Sequence, residues 1–151
     1  MSTSVTVDTL SEVATQVLED VAFVFTERAR EPFAWSGATI DASLSFSGPE
    51  RGALFVRASP ALGARFAANM LGIELDDPEV AERSNDAVGE MLNVVAGVLV
   101  ARVFGTDTLV HLGVPHVAVT PAPGVEASAC VVSLLTDEGE RIELHVRTGE
   151  S

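Results

Sequence analysis

Cysteine is nearly absent from this sequence. Cys130 is the single thiol, so no internal disulfide is possible and nothing points to an oxidising compartment. Its setting, ACVVSLL, reads as a buried strand in which a thiol behaves as a small apolar group. Aromatic residues are scarce too, 5% of the chain with no tyrosine, which leaves Val, Leu and Ala to build the core. Positive charge is short: nine cations stand against 22 anions, a net charge of −13. Nucleic acid and anionic membranes both need a cationic footprint and are excluded as partners. The N-terminus, MSTSVTVDTLSEV, lacks the basic and apolar regions of a signal peptide. Gly97 and Arg102 interrupt the greasiest segment before it reaches the ~18 apolar residues of a membrane span. A soluble cytoplasmic protein is expected. At 151 residues it is expected to form one domain over 1–151, long enough to bury about 70% of its unfolded surface.

The familiar chemical motifs are missing as well. There is no GxxxxGK[ST] or GxGxxG loop to cradle phosphates and no GxSxG nucleophile elbow. Gly48, Gly52 and Gly63 are explained by turns and helix packing, and Ser59 and Ser84 by helix capping. His111, His116 and His145 sit singly in strand-like segments without ligand spacing, so no metal and no cofactor is expected on this chain.

What is present is a clear alternation of periods. Residues 8–30 read as an amphipathic helix, capped by Asp8 or Thr9, carried by Leu10, Val13, Val17, Leu18, Val21, Val24 and Phe25, and ended by Pro32. Residues 38–46 alternate as a half-buried strand, and 53–58 return after the turn SGPERG to make a hairpin. Ser59-Pro60 opens a helix that stops at Gly72. Asp77-Pro78 opens a longer helical stretch that runs to Gly105, with Ser84 or Asn85 as a possible break. Short strands follow at 109–112 and 116–120, then a Pro121–Gly124 loop. Strands at 127–135 and 142–147 flank a turn with Gly139. The order α-ββ-α-α-ββββ is that of an α+β domain with helices packed on a mainly antiparallel sheet.

The stretch from Asp77 to Gly105 carries the one unexplained pattern. It is apolar nearly all round, except that Asp86, Glu90, Asn93 and Gly97 fall within roughly 60° of one another on a helix. A polar line on a helix is ordinarily its solvated face. Here Glu82, Asp86 and Glu90 repeat like charges at i, i+4 with no lysine to neutralise them. Asn93 and Gly97 cost about 0.5 and 1 kcal/mol relative to Ala in mid-helix. A carboxylate at Glu90 suits a cation supplied from outside. The Asn93 amide offers a donor and an acceptor to hold a water, and Gly97 leaves clearance for an approaching group.

Asp86-x-x-x-Glu90-x-x-Asn93, set in DAVGEMLNVVAG, resembles the signature of the CheC/CheX/FliY family of chemotaxis phosphatases, and its CheX branch most of all. RGALFVRASPALGARFAANMLG, VLEDVAFVF and LGVPHV resemble the family's strand-helix segment, its N-terminal helix and its post-helix proline segment. The resemblance implies a CheX-like fold and removal of the phosphoryl group from the aspartyl phosphate of a CheY-like receiver domain. Glu90 then matches the acidic residue that pairs with the receiver's lysine, and Asn93 the amide that orients the attacking water. Asp86 matches a supporting position, and Mg²⁺ belongs to the receiver. The family's two-site members carry a second E-x-x-N on the first helix. Here Glu12-x-x-Thr15 and Glu19-Asp20-Val21-Ala22 lack the Asn, so a single site is implied, in a homodimer. The alternatives are a non-catalytic binding module of the same fold and a purely structural dimer.

Overall fold

Period-2 alternation in the hairpin sets up the sheet that everything else rests on. In the computed structural model, which describes residues 5–118 and 130–148, Ile40, Ala42, Leu44 and Phe46 of β2 (Ile40–Ser47) turn into the core. Leu54, Val56 and Ala58 of β3 (Arg51–Ala58) do the same from the paired strand. The remaining elements are α1 (Val7–Ala22), β1 (Thr26–Arg28), α2 (Pro60–Leu71), α3 (Pro78–Phe104), β4 (His111–Leu112), β5 (His116–Ala118), β6 (Cys130–Thr136) and β7 (Arg141–Thr148). Among the described residues the sheet has seven strands in the order β1-β6-β7-β3-β2-β4, with β5 also on β2. Every pairing is antiparallel. The fold is α+β, as the element order implied. Leu10, Val13 and Leu18 of α1, Leu62 and Phe66 of α2 and Leu92 and Leu99 of α3 join the inward face of the sheet in one core.

The first helix is shorter than its periodicity suggests. Its cap is Thr6, whose hydroxyl accepts from the Thr9 N–H at 3.0 Å, and it ends at Ala22. Phe23 takes a left-handed conformation (φ 56°) and Asn69 of α2 donates to the free Ala22 carbonyl at 2.7 Å. Val24 remains fully buried although it has left the helix. No glycine or proline marks this stop, and Val24 and Phe25 extend the helical period past it. The next residues form β1, which pairs with β6 (Thr26 opposite Thr136) and was not anticipated. Pro32 therefore lies well beyond the helix, in the segment leading to β2.

The long helix shows no break. Ser84 donates to the Val80 carbonyl one turn back at 2.7 Å, which satisfies its buried hydroxyl inside the helix. By length and mean hydropathy α3 would pass as a membrane span despite Gly97 and Arg102; half of that window is buried within the fold. The short strands are trimmed to 111–112 and 116–118. The 121–124 loop, and the parts of the expected strands at 119–120 and 127–129, lie outside the described residues. The turn after β6 needs its glycine: Gly139 sits at φ 84°, and the Thr136 hydroxyl accepts from the Glu140 N–H at 2.9 Å.

On the outward face of the sheet a polar network occupies the middle. Arg57 grips Asp41 through two bonds of 3.1 Å, and Glu143 accepts from Ser133 and lies 2.9 Å from His145 Nε2. Burial pushes the Glu143 carboxyl up, but the hydrogen bond and charge of His145, with smaller help from the Trp35 and Ser133 side chains, outweigh it and leave the group below its usual value. A carboxyl lowered in the folded state contributes stability above its unfolded pKa and loses it as pH falls through the folded one. Glu143→Gln should flatten the fall in thermal stability below about pH 5, read by calorimetry across a pH series; an unchanged slope would count against this network.

Candidate functional site

Asp77 starts α3 by accepting the Glu79 N–H at 2.9 Å, with Pro78 in the first turn. From there α3 runs 27 residues, about 40 Å at 1.5 Å per residue. Val80, Ser84, Val88, Met91, Leu92, Val95 and Leu99 face the core and fix the helix in rotation. That rotation turns Asp86, Glu90 and Asn93 outward, all exposed, with Gly97 half-buried in the same line. The four residues singled out in the sequence thus share one outward seam.

The seam is electrostatically unpaired. Among the described residues no hydrogen bond or ion pair engages Asp86, Glu90, Asn93 or Glu82. The nearby cations are committed elsewhere: Arg83 to Glu79 at 3.5 Å and Arg102 to Glu12 at 3.2 Å. Three carboxylates repeat at i, i+4 without compensation, so the line presents uncancelled negative charge and a free amide to whatever meets it.

One side of the seam is walled by the chain between β4 and β5. Leu112 sits against Gly97, where an added Cβ would be 3.8 Å from its Cδ1. Pro115 and Val117 sit against Gly89, where an added Cβ would be 2.9 Å from Val117 Cγ2. The segment therefore runs back along two turns of α3 beside Asn93, and the Gly113 N–H anchors it to the Ser45 carbonyl at 2.7 Å. Gly89 escaped the sequence reading. Its signal was a glycine amid good helix formers, which periodicity treats as one more small residue. The two helix glycines do different things: Gly89 admits another strand of this chain, while Gly97 has room to spare.

The other chemistry-bearing residues stand apart. His111 and His116 are exposed on β4 and β5, and His145 is engaged with Glu143. Cys130 is buried, and burial pushes its thiol up, against a smaller pull from Arg28. Among the described residues no three His, Cys, Asp or Glu side chains converge as a metal site. On α1, Glu12 is held by Arg102, and the Thr15 hydroxyl meets that of Thr26 at 3.5 Å.

The seam thus sets a carboxylate and an amide on an open helix face, and among the described residues no metal-ligating cluster stands beside them. The family model for the chemotaxis phosphatase CheX matches residues 40–132, which include the whole seam, the β2–β3 hairpin and α2. The chain belongs to that family. Solved structures share the fold: CheX from Desulfovibrio desulfuricans (TM-score 0.70, 19% identity, 93% of this chain and 97% of that one); and CheX from Vibrio vulnificus (0.72, 20%, 93% and 95%). A chain of the CheX-CheY-BeF3-Mg complex from Borrelia burgdorferi aligns similarly (0.72, 17%, 95% and 97%). No curated protein matches.

The contrast between the two glycines is testable in stability alone. Gly97→Ala should stabilise by up to about 1 kcal/mol through helix propensity. Gly89→Ala should destabilise by about 1–2 kcal/mol, because overpacking against Val117 exceeds the same gain. Urea denaturation of both variants measures the difference, and equal effects would refute the packing role of Gly89.

Proposed function

We propose that this protein dephosphorylates the aspartyl phosphate of a CheY-like response regulator, lending Glu90 and Asn93 to the receiver's own active site. Membership of the chemotaxis phosphatase family supports the reaction class, and the CheX-CheY complex from Borrelia burgdorferi supports the kind of partner. The observation that carries the residue roles is the seam itself: an unpaired carboxylate and a free amide one turn apart on a helix locked by its buried side.

In this reading Glu90 pairs with the receiver's lysine and draws α3 onto the phosphorylated face. Asn93 then enters beside the phosphoryl group, where its amide holds a water in line with the bond to the aspartyl oxygen. Water attacks phosphorus, the aspartate leaves as a carboxylate, and inorganic phosphate departs. Phosphoryl transfer depends mostly on positioning and charge stabilisation, so a single amide held in place is sufficient work for the protein. The Mg²⁺ that neutralises the phosphoryl oxygens belongs to the receiver, and no metal ligand or cofactor is asked of this chain. Asp86 supports the seam's negative field, and Gly97 gives the receiver clearance one turn beyond Asn93. The protein acts as a homodimer in the cytoplasm.

The test is phosphate release from a Mg²⁺-bound phosphorylated receiver of the same organism. The protein should accelerate release; Asn93→Ala should lose about a hundredfold or more of that acceleration while binding persists, as for other single positioning donors. Glu90→Gln should weaken binding by about tenfold or more, as loss of a charged pair does. Gly97→Leu should fold and yet bind poorly. Full acceleration by Asn93→Ala would overturn the mechanism, and binding without acceleration by the parent protein would make it a binding module instead.

A further inference from the structure

Away from the seam, the outward face of the sheet ends in a cleft. Its floor follows from register. Ser47 lies opposite Arg51 and His111, and Ser45 opposite Ala53, which in turn lies opposite Arg147. Paired residues share a face, so these side chains all point away from the helices. Gly113 completes the floor, held to Ser45 by its N–H. Small residues in the middle, with two arginines and a histidine around them, leave a cavity of about 450 Å³, the size of a small-molecule site.

The charge of this cleft is anomalous. The protein carries net −13 and only nine cations, all arginine. Arg28, Arg57, Arg65, Arg83 and Arg102 each hold a carboxylate, and Arg141 donates to the Ala34 carbonyl while lying over Phe33. Of the remaining three, Arg30 is exposed in the segment after β1, whereas Arg51 and Arg147, with no anionic partner among the described residues, both line the cleft, and no described Asp or Glu lines it. Arg147 is propped over the Phe55 ring at 5.7 Å, an arrangement that orients the guanidinium and leaves its N–H edge free.

We propose that this cleft binds a phosphate-bearing small molecule. Two guanidinium forks, the hydroxyls of Ser45 and Ser47 and the ring of His111 supply donors for phosphate oxygens, and the two forks favour bidentate contact. The site is separate from Glu90 and Asn93 and does not depend on the phosphatase reading.

Inorganic phosphate and adenosine monophosphate, titrated separately into the isotope-labelled full chain and followed by NMR, test this. The expected result is saturable shifts at Ser45, Ser47, Arg51, His111 and Arg147. Tighter binding of the nucleotide marks an organic phosphate as the ligand; equal binding marks phosphate itself. Arg51→Ala and Arg147→Ala should each weaken binding about tenfold or more, whereas Arg141→Ala, on the same face of β7 outside the cleft, should not. Should Arg147→Ala fail to fold, Arg51→Ala at the exposed strand end decides alone. Asn93→Ala should leave the titration unchanged, so the two proposals fail separately. Absence of saturation by either probe, indifference to Arg51→Ala, or binding of polyglutamate but not phosphate would overturn the assignment.

Discussion

One helix both fills the middle of the core and carries an exposed polar seam, and the rest of the structure is arranged to permit that. α3 buries Val88, Leu92, Val95 and Leu99 against the sheet and the other helices. Burying side chains of this size stabilises by about 1.5–3 kcal/mol each, so the helix cannot rotate to hide its polar line without losing several of them. The seam's unfavourable repeats of like charge are minor against that, a few tenths of a kcal/mol apiece. Apolar burial therefore sets the orientation, and the polar residues go where it sends them. Close approach at Gly89 and Gly63 adds a second restraint, since neighbouring side chains occupy the space a Cβ would need.

The charges divide along the same lines. Most of the arginines are spent joining elements: Arg65 spans from α2 to both Asp137 and Glu140 in the β6–β7 turn, and Arg102 ties α3 to α1. Among the described residues, the seam keeps Glu82, Asp86 and Glu90 without a cation, and the end of the outward sheet face keeps Arg51 and Arg147 without an anion. A protein short of cations has left both signs exposed in separate places, which keeps the two surfaces from neutralising each other.

Much of this was readable beforehand, for identifiable reasons. The β2–β3 hairpin, α2 and α3 each combine a strong period with a start or stop signal such as Ser59-Pro60, Gly72 or Asp77-Pro78. The seam was readable because Asp86, Glu90 and Asn93 violate the apolar period around them. The end of α1 was not readable: Phe23 turns the chain in a conformation usually left to glycine, and tertiary contacts, Val24 in the core and Asn69 on the Ala22 carbonyl, hold it there. β1 was hidden for the same reason, being three residues whose partner lies across the chain. Gly89 and the arginine cleft depend on which strands become neighbours, and one-dimensional spacing carries no information about that.

The pairing of β1 with β6 also orders events in time. Thr26 meets Thr136, so β1 has no partner until β6 exists, some hundred residues further along. Helix α1 and the β2–β3 hairpin can form from local contacts, but the sheet closes only after β6 and β7 arrive, and β7 must enter between β3 and β6. Such long-range closure raises contact order and slows folding. The inward apolar faces of α1 and the hairpin are therefore not fully covered until β6 and β7 have formed, and a chain stalled before that point is exposed to aggregation.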